Sequence, residues 1–327
     1  MPITEAQFAQ RILEKHTVDA TTMSAYMPTD ARGRRFVRVG KSRLVPLMPK
    51  GANAPPAGAG TAAAPAGLAT AAGTPAAVDH TPDQTPVKDQ ADRPTCVAFA
   101  LLAALEALLK RRQKVDTSLS EQYAYWLFMS SQGQSQCSAG VFTVQAAAYL
   151  HQTGVCKTTF SPYQTEAQVM AACTAGPSDA ARRNATFGLG TFASLFRRGL
   201  GGWSIRNTDL LESLLAQDLD VVVGFDGIFG PTDPRTGALD VFLDSSGKPW
   251  PAQAGHSMLA VGYTRDPTDP YFVFKNSWLD AGGTGYMKVS YDYVRQYATC
   301  GVIPHQVRTD MPVNGHGGGG NGKGQRK

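Results

Sequence analysis

The chain has 327 residues, 43% of them hydrophobic, and a formal net charge of +5. That is enough for one large domain or two with appendages. The modest charge, concentrated toward the two ends, argues against a nucleic-acid partner, and with no apolar run of about 18 residues no membrane-spanning helix is expected.

The N-terminus, MPITEAQFAQRILEKH, lacks the basic start and apolar stretch of a secretory signal. A cytoplasmic protein is expected, or one exported without a cleavable signal. Residues 3–16 read as an amphipathic helix with Phe8, Ile12 and Leu13 on one side. Residues 31–50 are basic and β-prone, and two readings stay open: a solvated basic arm, or a propeptide-like segment lying against the rest of the chain. Residues 51–77 carry neither charge nor aromatic ring. Such a stretch cannot bury enough apolar area to offset its ordering, so a flexible linker is predicted, with a boundary near residue 77. Nicking there should leave a stable core of about 240 residues.

Residues 84–112 are QTPVKDQADRPTCVAFALLAALEALLKRR. A polar loop feeds Cys96 into a helix that is apolar on every side, which predicts burial all round. Pro94 suits the entry to that helix, and Lys110, Arg111 and Arg112 suit its C-terminal end. A thiol at a helix N-terminus lies by unpaired N–H groups that favour the thiolate. Ser118 or Ser120 is placed to cap a helix over 120–131, and Val141 to Leu150 reads as another, ending by Gly154. These give a mainly helical part, about 90–205. From 206 to 310 the runs 221–225, 257–263, 271–275 and 285–289 are β-branched or aromatic and bounded by turns, which predicts an antiparallel β-rich part. The Gly/Pro-rich connection 226–252 leads into His256 and should wall a cleft. Residues 311–327 read as a disordered tail.

A cysteine nucleophile needs a base, a group that orients the base, and donors for an oxyanion. Of the six histidines, His16, His80 and His316 lie toward the ends, and His151 sits in a helix where a structural role is expected. His256 heads a strand in AGHSMLAVGY, and Asn276 follows in FKNSWLDAGGTGY. Gln90 stands six residues before Cys96 in PVKDQ, with Ala98-Phe99 and Ala104-Leu105-Glu106 after it. LSEQ at 119–122, CSAG at 137–140 and SPY at 161–163 follow in order.

Together these motifs resemble the papain-like cysteine peptidases over roughly residues 78–305. The pattern of that family around its nucleophile, C-G-[SA]-C-[WY], is altered here: Arg93 replaces the first Cys, Pro94 the Gly and Val97 the aromatic residue. The resemblance implies an α+β fold of two lobes, helical (about 90–205) and β-rich (about 206–310), with a cleft between, in a domain spanning 78–310. It implies Cys96 as nucleophile, His256 as its imidazolium partner, Asn276 as the group orienting that ring, Gln90 as oxyanion donor and Trp278 as cover for the His–Asn bond. Gly140 would line the cleft through its backbone, and His305 would lie near the floor of the specificity pocket. Gly255 before the histidine is the form common in bacterial members. Loss of the second family tryptophan, with Gly282-Gly283 in its region, would loosen the wall of the site. The substrate would be a peptide or protein, with no cofactor or metal, and residues 1–77 would be candidates for intramolecular inhibition. The alternatives are a catalytically silent peptide-binding module and an exported effector acting on one protein.

There are five cysteines and no CxxC pair, so zinc is not expected. Cys137, Cys173 and Cys300 fall near family disulfide positions whose partners here are Arg93, Ser130 and Trp250. The inherited bridges would then be lost, as in a reducing compartment. A rewired Cys137–Cys173 bridge stays open.

Overall fold

The computed structural model describes residues 5–31, 34–39, 43–50, 73–137, 140–198, 203–230, 232–279 and 284–311. Most of the expected linker, the expected C-terminal tail from 312 onward and the Gly282-Gly283 pair lie outside the described residues; Met311, expected to open the disordered tail, is instead buried and its N–H donates to the Thr186 carbonyl at 3.0 Å.

The N-terminal part forms helices α1 (Glu5–Leu13) and α2 (Ala20–Tyr26), then strands β1 (Phe36–Val39), β2 (Arg43–Pro46) and β3 (Met48–Pro49). Asp19 caps α2 by accepting the Thr22 N–H at 2.7 Å. Of the expected apolar face of α1, Ile12 is buried while Leu13 points to solvent. Strand β4 (Ala77–Asp79) precedes α3 (Cys96–Leu108), of which every residue but Ala103 is buried, as its unbroken apolar run required. Then come α4 (Glu121–Ser131), α5 (Thr143–Gln152), α6 (Glu166–Met170) and α7 (Asp179–Arg183). Ser120 caps α4 through the Tyr123 N–H at 2.9 Å.

The remaining elements are β5 (Gly188–Leu189), β6 (Phe192–Phe196), α8 (Thr208–Leu215), β7 (Val221–Gly227), β8 (Ala254–Thr264), β9 (Tyr271–Lys275), β10 (Tyr286–Ser290), α9 (Tyr291–Tyr297), β11 (Ala298–Pro304) and β12 (Val307–Arg308). One antiparallel sheet runs β10-β9-β8-β7-β11-β6, with β3 and β4 also on β8. The sheet therefore takes in residues 192–196 and 77–79, ahead of the expected start of the β-rich part at 206. Phe192–Phe196 alternates half-buried and buried side chains, the period of a strand.

β8 is buried along almost its whole length, and its alternation explains why. Met258 and Ala260 enter the core that holds Phe225, Phe272 and Phe274. Leu259 and Val261 enter the core built on α3, with Leu101, Leu105 and Phe128. One edge of β8 pairs with β7 from Ala254 to Ala260. The other pairs with β9 only from Leu259 onward. The open stretch on that second edge is taken by β3, with Met48 opposite Gly255 and Pro49 opposite Ala254.

Buried charge joins the two parts. Lys88 Nζ lies 2.6 Å from a carboxylate oxygen of Glu106 and 2.6 Å from one of Glu121. Lys275 Nζ donates to the Thr85 carbonyl at 2.7 Å, and Thr85 Oγ1 to Glu106 at 2.6 Å. Gly285 has φ of +79°, and a Cβ there would fall 2.4 Å from Val87, so only glycine fits against this loop.

Candidate active site

Cys96 is the first residue of α3, and His256 lies on β8 opposite Phe225. Asn276 follows β9 directly, its backbone N–H held by the Gly285 carbonyl at 2.9 Å. His256 Nε2 and Asn276 Oδ1 are 2.8 Å apart. An amide oxygen only accepts, so Nε2 carries the proton, and Nδ1 is the nitrogen that takes or gives a second one. The carboxamide is fixed from the other side: its Nδ2 donates to Met287 Sδ at 2.8 Å, and the Ser277 N–H donates to Oδ1 at 2.8 Å. Trp278 lies flat against the imidazole, with ring centroids 4.2 Å apart and planes 15° from parallel. Phe229 meets the same imidazole edge-on at 5.3 Å.

Ser257 links the two halves of the site. Its peptide N–H bonds the Cys96 sulfur, and its hydroxyl lies 3.0 Å from that of Thr143 at the start of α5. Gly140, with φ of +96°, turns the chain into that helix. Gln90 is fully buried. Its Oε1 accepts from Ser277 Oγ at 2.5 Å, and its Nε2 donates to the Arg93 carbonyl at 2.7 Å. The structure thus brings Gln90, Cys96, His256, Asn276 and Trp278 into one connected neighbourhood.

Burial governs the electrostatics. Cys96 is 1% exposed and His256 0%. Burial pushes the Cys96 thiol up to about 12, against the backbone N–H groups of Ser257, Val97 and Cys96 itself. Burial likewise pulls His256 down to about 4, against its bond to Asn276. The helix N-terminus was expected to favour thiolate and the histidine to be imidazolium. In this closed arrangement desolvation outweighs both, and the pair is held neutral. Part of the cover comes from the N-terminal segment: Met48 is fully buried in the same apolar cluster as Cys96, Val97 and Ala98.

That segment is docked, which excludes the solvated-arm reading for its central part. Ile12, Met23, Met27, Val37 and Leu47 are buried in the β-rich core. Lys15 Nζ lies 2.8 Å from Asp240 and 3.0 Å from Asp292. The connection 226–252 is its bed: the Leu243 N–H donates to the His16 carbonyl at 2.8 Å, and Trp250 Nε1 donates to the Val18 carbonyl at 3.0 Å. Through Phe229 the same connection touches His256. No periodic signal marks Phe229 in that Gly/Pro-rich sequence.

Two expectations need correction. His305 is not brought to the site: its carbonyl accepts from Arg112 at 3.1 Å. Arg112 lies past the far end of α3, on the order of 20 Å from Cys96 at helical rise. The inherited disulfides keep no partners, but the rewired bridge left open by the sequence is formed: Cys137 and Cys173 are bonded to each other with Cα atoms 5.2 Å apart. A reducing compartment therefore loses its support. Cys96, Cys156 and Cys300 are free and buried.

A cysteine that opens a helix, beside a strand whose histidine is held by an asparagine, in an α+β fold of this order defines the papain class. The family model described as papain family cysteine protease matches residues 74–308, and the chain belongs to that family. It is 28% identical over 232 residues to cathepsin K of Gallus gallus and 25% identical over 225 residues to the viral cathepsin of Cydia pomonella granulosis virus. These matches cover 70% and 67% of this chain but 61% and 59% of those relatives. Among solved structures, xylellain, a cysteine protease from Xylella fastidiosa, aligns with TM-score 0.59 and 24% identity over 82% of this chain and 100% of that one. Digestive procathepsin L 3 of Tenebrio molitor aligns with TM-score 0.53 and 23% identity over 73% of each chain.

Proposed function

We propose that the chain is a cysteine peptidase that cleaves peptide bonds in peptide or protein substrates, and that its N-terminal segment holds it latent. The observation that carries the reading is the 2.8 Å bond from His256 to Asn276, on the strand whose next residue, Ser257, bonds the Cys96 sulfur. With the cover removed, water restores the charged forms of Cys96 and His256. The thiolate attacks the substrate carbonyl, and the oxyanion is met by the Gln90 carboxamide and the Cys96 N–H. His256 gives its proton to the leaving amine, then takes one from the water that releases the acyl group. Asn276 holds the ring through both transfers, and Trp278 keeps water from their bond. Gly140 meets the extended substrate through its backbone.

Latency rests on the pairing of Met48 with Gly255. An extended substrate adds to an open strand edge by backbone hydrogen bonds, and β3 fills the edge beside His256. The Tenebrio molitor neighbour is a procathepsin, in keeping with an inhibitory segment here. The test is cleavage of casein and of a peptide library by the full chain, its Cys96→Ala variant and a chain starting at residue 78. The chain starting at 78 should be the most active and the alanine variant inactive. Absence of both turnover and labelling of Cys96 by an epoxysuccinyl inhibitor in the chain starting at 78 would leave a peptide-binding module instead.

A further inference from the structure

We infer that the guanidinium of Arg93 is a positioning group for Gln90, holding the oxyanion donor from the place where the family pattern carries a cysteine. This role depends on Gln90 being the oxyanion donor of the proposed peptidase. Arg93 is 2% exposed, in the turn between Gln90 and Cys96. Among the described residues, the partners that hold it are all neutral. Its Nη1 donates to Gln122 Oε1 at 2.5 Å and to the Gln164 carbonyl at 3.1 Å. Its plane lies over the rings of Tyr125 and Tyr163, at 5.2 and 4.9 Å from their centroids. Burying a cation with no carboxylate partner is costly, and ring faces and amide oxygens offset only part of that cost. A lysine has no plane to lie over the two rings.

What the guanidinium fixes is its own backbone. The Arg93 carbonyl accepts from Gln90 Nε2 at 2.7 Å and from the Thr95 N–H at 2.9 Å. Tyr163, under the guanidinium, donates to the Gln90 carbonyl at 2.9 Å and lies 2.6 Å from Thr95 Oγ1. With Ser277 Oγ on Oε1, one N–H of the Gln90 carboxamide and its oxygen are both assigned. A primary amide has two N–H donors, so the second is the one aimed for a ligand. Loss of the guanidinium leaves Gln90 in place chemically but frees the carbonyl that orients it. The anchor continues outward: Gln122 Nε2 donates to Gln136 Oε1 at 2.8 Å, and Gln136 Nε2 to the Ala175 carbonyl at 2.8 Å. The oxyanion turn is thereby tied to the loops joined by Cys137–Cys173.

The test is a double-mutant cycle on the chain starting at residue 78, or on the full chain after release of its segment. Gln90→Ala, Arg93→Met and the double variant are compared for peptide hydrolysis and for alkylation of Cys96 by iodoacetamide, which forms no oxyanion. Arg93→Met should lower kcat by about 10-fold or more, within the loss of about 10² to 10³ known for one oxyanion donor. KM should change little, alkylation should keep its rate, and Arg93→Met should cost almost nothing further once Gln90 is alanine. Arg93→Lys should recover little. If Arg93→Met does not fold, Gln122→Leu, which removes one acceptor, should show the same pattern at smaller amplitude. Losses that multiply in the double variant, full activity of Arg93→Met, or an alkylation rate that falls with kcat would overturn the inference. An inactive wild type, or an active Cys96→Ala, would instead overturn the peptidase reading itself.

Discussion

The indole of Trp278 lies parallel to the imidazole of His256 at 4.2 Å, and both rings are almost wholly buried. Stacking at this distance does two things: it fixes the plane in which His256 meets Asn276, and it excludes water from their bond. Trp278→Ala should cost about 3–5 kcal/mol of stability, the range for removing a buried indole. It should also lower kcat/KM more than Trp278→Phe, which keeps a ring over the histidine. Thermal unfolding and peptide hydrolysis on the same preparations check this; equal kcat/KM in the two variants would sink it.

The Met48 cover should be separable from the fold beneath it. Met48→Asp puts a charge into the apolar cluster shared with Cys96, so the segment should leave the edge at Gly255. Epoxysuccinyl labelling of the full chain should rise by at least about 10-fold, a change of about 1.4 kcal/mol. A chain starting at 78 lacks the segment altogether, and its labelling sets the ceiling.

Lys15 should act as a latch. Burial by itself pulls its pKa down, but Asp240 and Asp292 outweigh that and the value stands above 10.5. Its contribution to docking is therefore present below pH 10.5 and lost as pH rises through the raised value. Lys15→Ala also leaves Asp292, 0% exposed at its side chain, with less compensation. Breaking a buried pair costs about 3 kcal/mol, so labelling of Cys96 in the full chain should rise on this substitution, whereas Lys110→Ala, in the π turn after α3, should not affect it.

The neutral pair at the covered site predicts a pH window for the closed state. His256 has its pKa lowered from 6.5 to about 4, so stability conferred by the neutral ring is full above pH 6.5 and drains away as pH falls from there to about 4. At 1.36 kcal/mol per unit, the loss is about 3 kcal/mol. Cys96 has its pKa raised from 9.0 to about 12, so its contribution is full below pH 9 and is lost as pH rises from there. The full chain should hold its cover best between these limits. Iodoacetamide labelling of Cys96, corrected for thiolate fraction with the chain starting at 78, should be slowest there and faster near pH 4.5.

The Cys137–Cys173 bridge closes a loop with a sequence separation of 36. Chain entropy for such a loop gives about 4 kcal/mol. Reduction, or the Cys137→Ala/Cys173→Ala pair, should lower Tm by several degrees while Cys96→Ser leaves that reduction-dependent shift intact.

The parts of the fold legible in the sequence were those with a strong local period. α3 was visible because an apolar run of that length, closed by Lys110, Arg111 and Arg112, has no solvent face. β8 and β9 were visible as β-branched runs between turns. Cys96, His256 and Asn276 could be recovered because they sit at or near the ends of such elements, and Gln90 because of the PVKDQ string that resembles the family. What could not be read were pairings across distance. Nothing local tells Phe229 that it will touch His256, or Met48 that it will pair with Gly255, since both contacts depend on a chain reversal outside any motif. His305 is misplaced for the same reason: a likeness of motifs does not report which end of α3 a strand reaches. Arg93 reads in the sequence only as a missing cysteine, because its ring partners are remote, Tyr125 on α4 and Tyr163 in the loop before α6.

The buried lysine between the two parts of the molecule carries a last consequence. Spreading the walls apart would strip the buried Lys275 from the Thr85 carbonyl. In the proposed latent peptidase the walls would then stay together, and access to the sulfur would be governed by whether residues 48–49 are bound or gone. Activation would be an uncapping, set by how firmly the N-terminal strap is fastened.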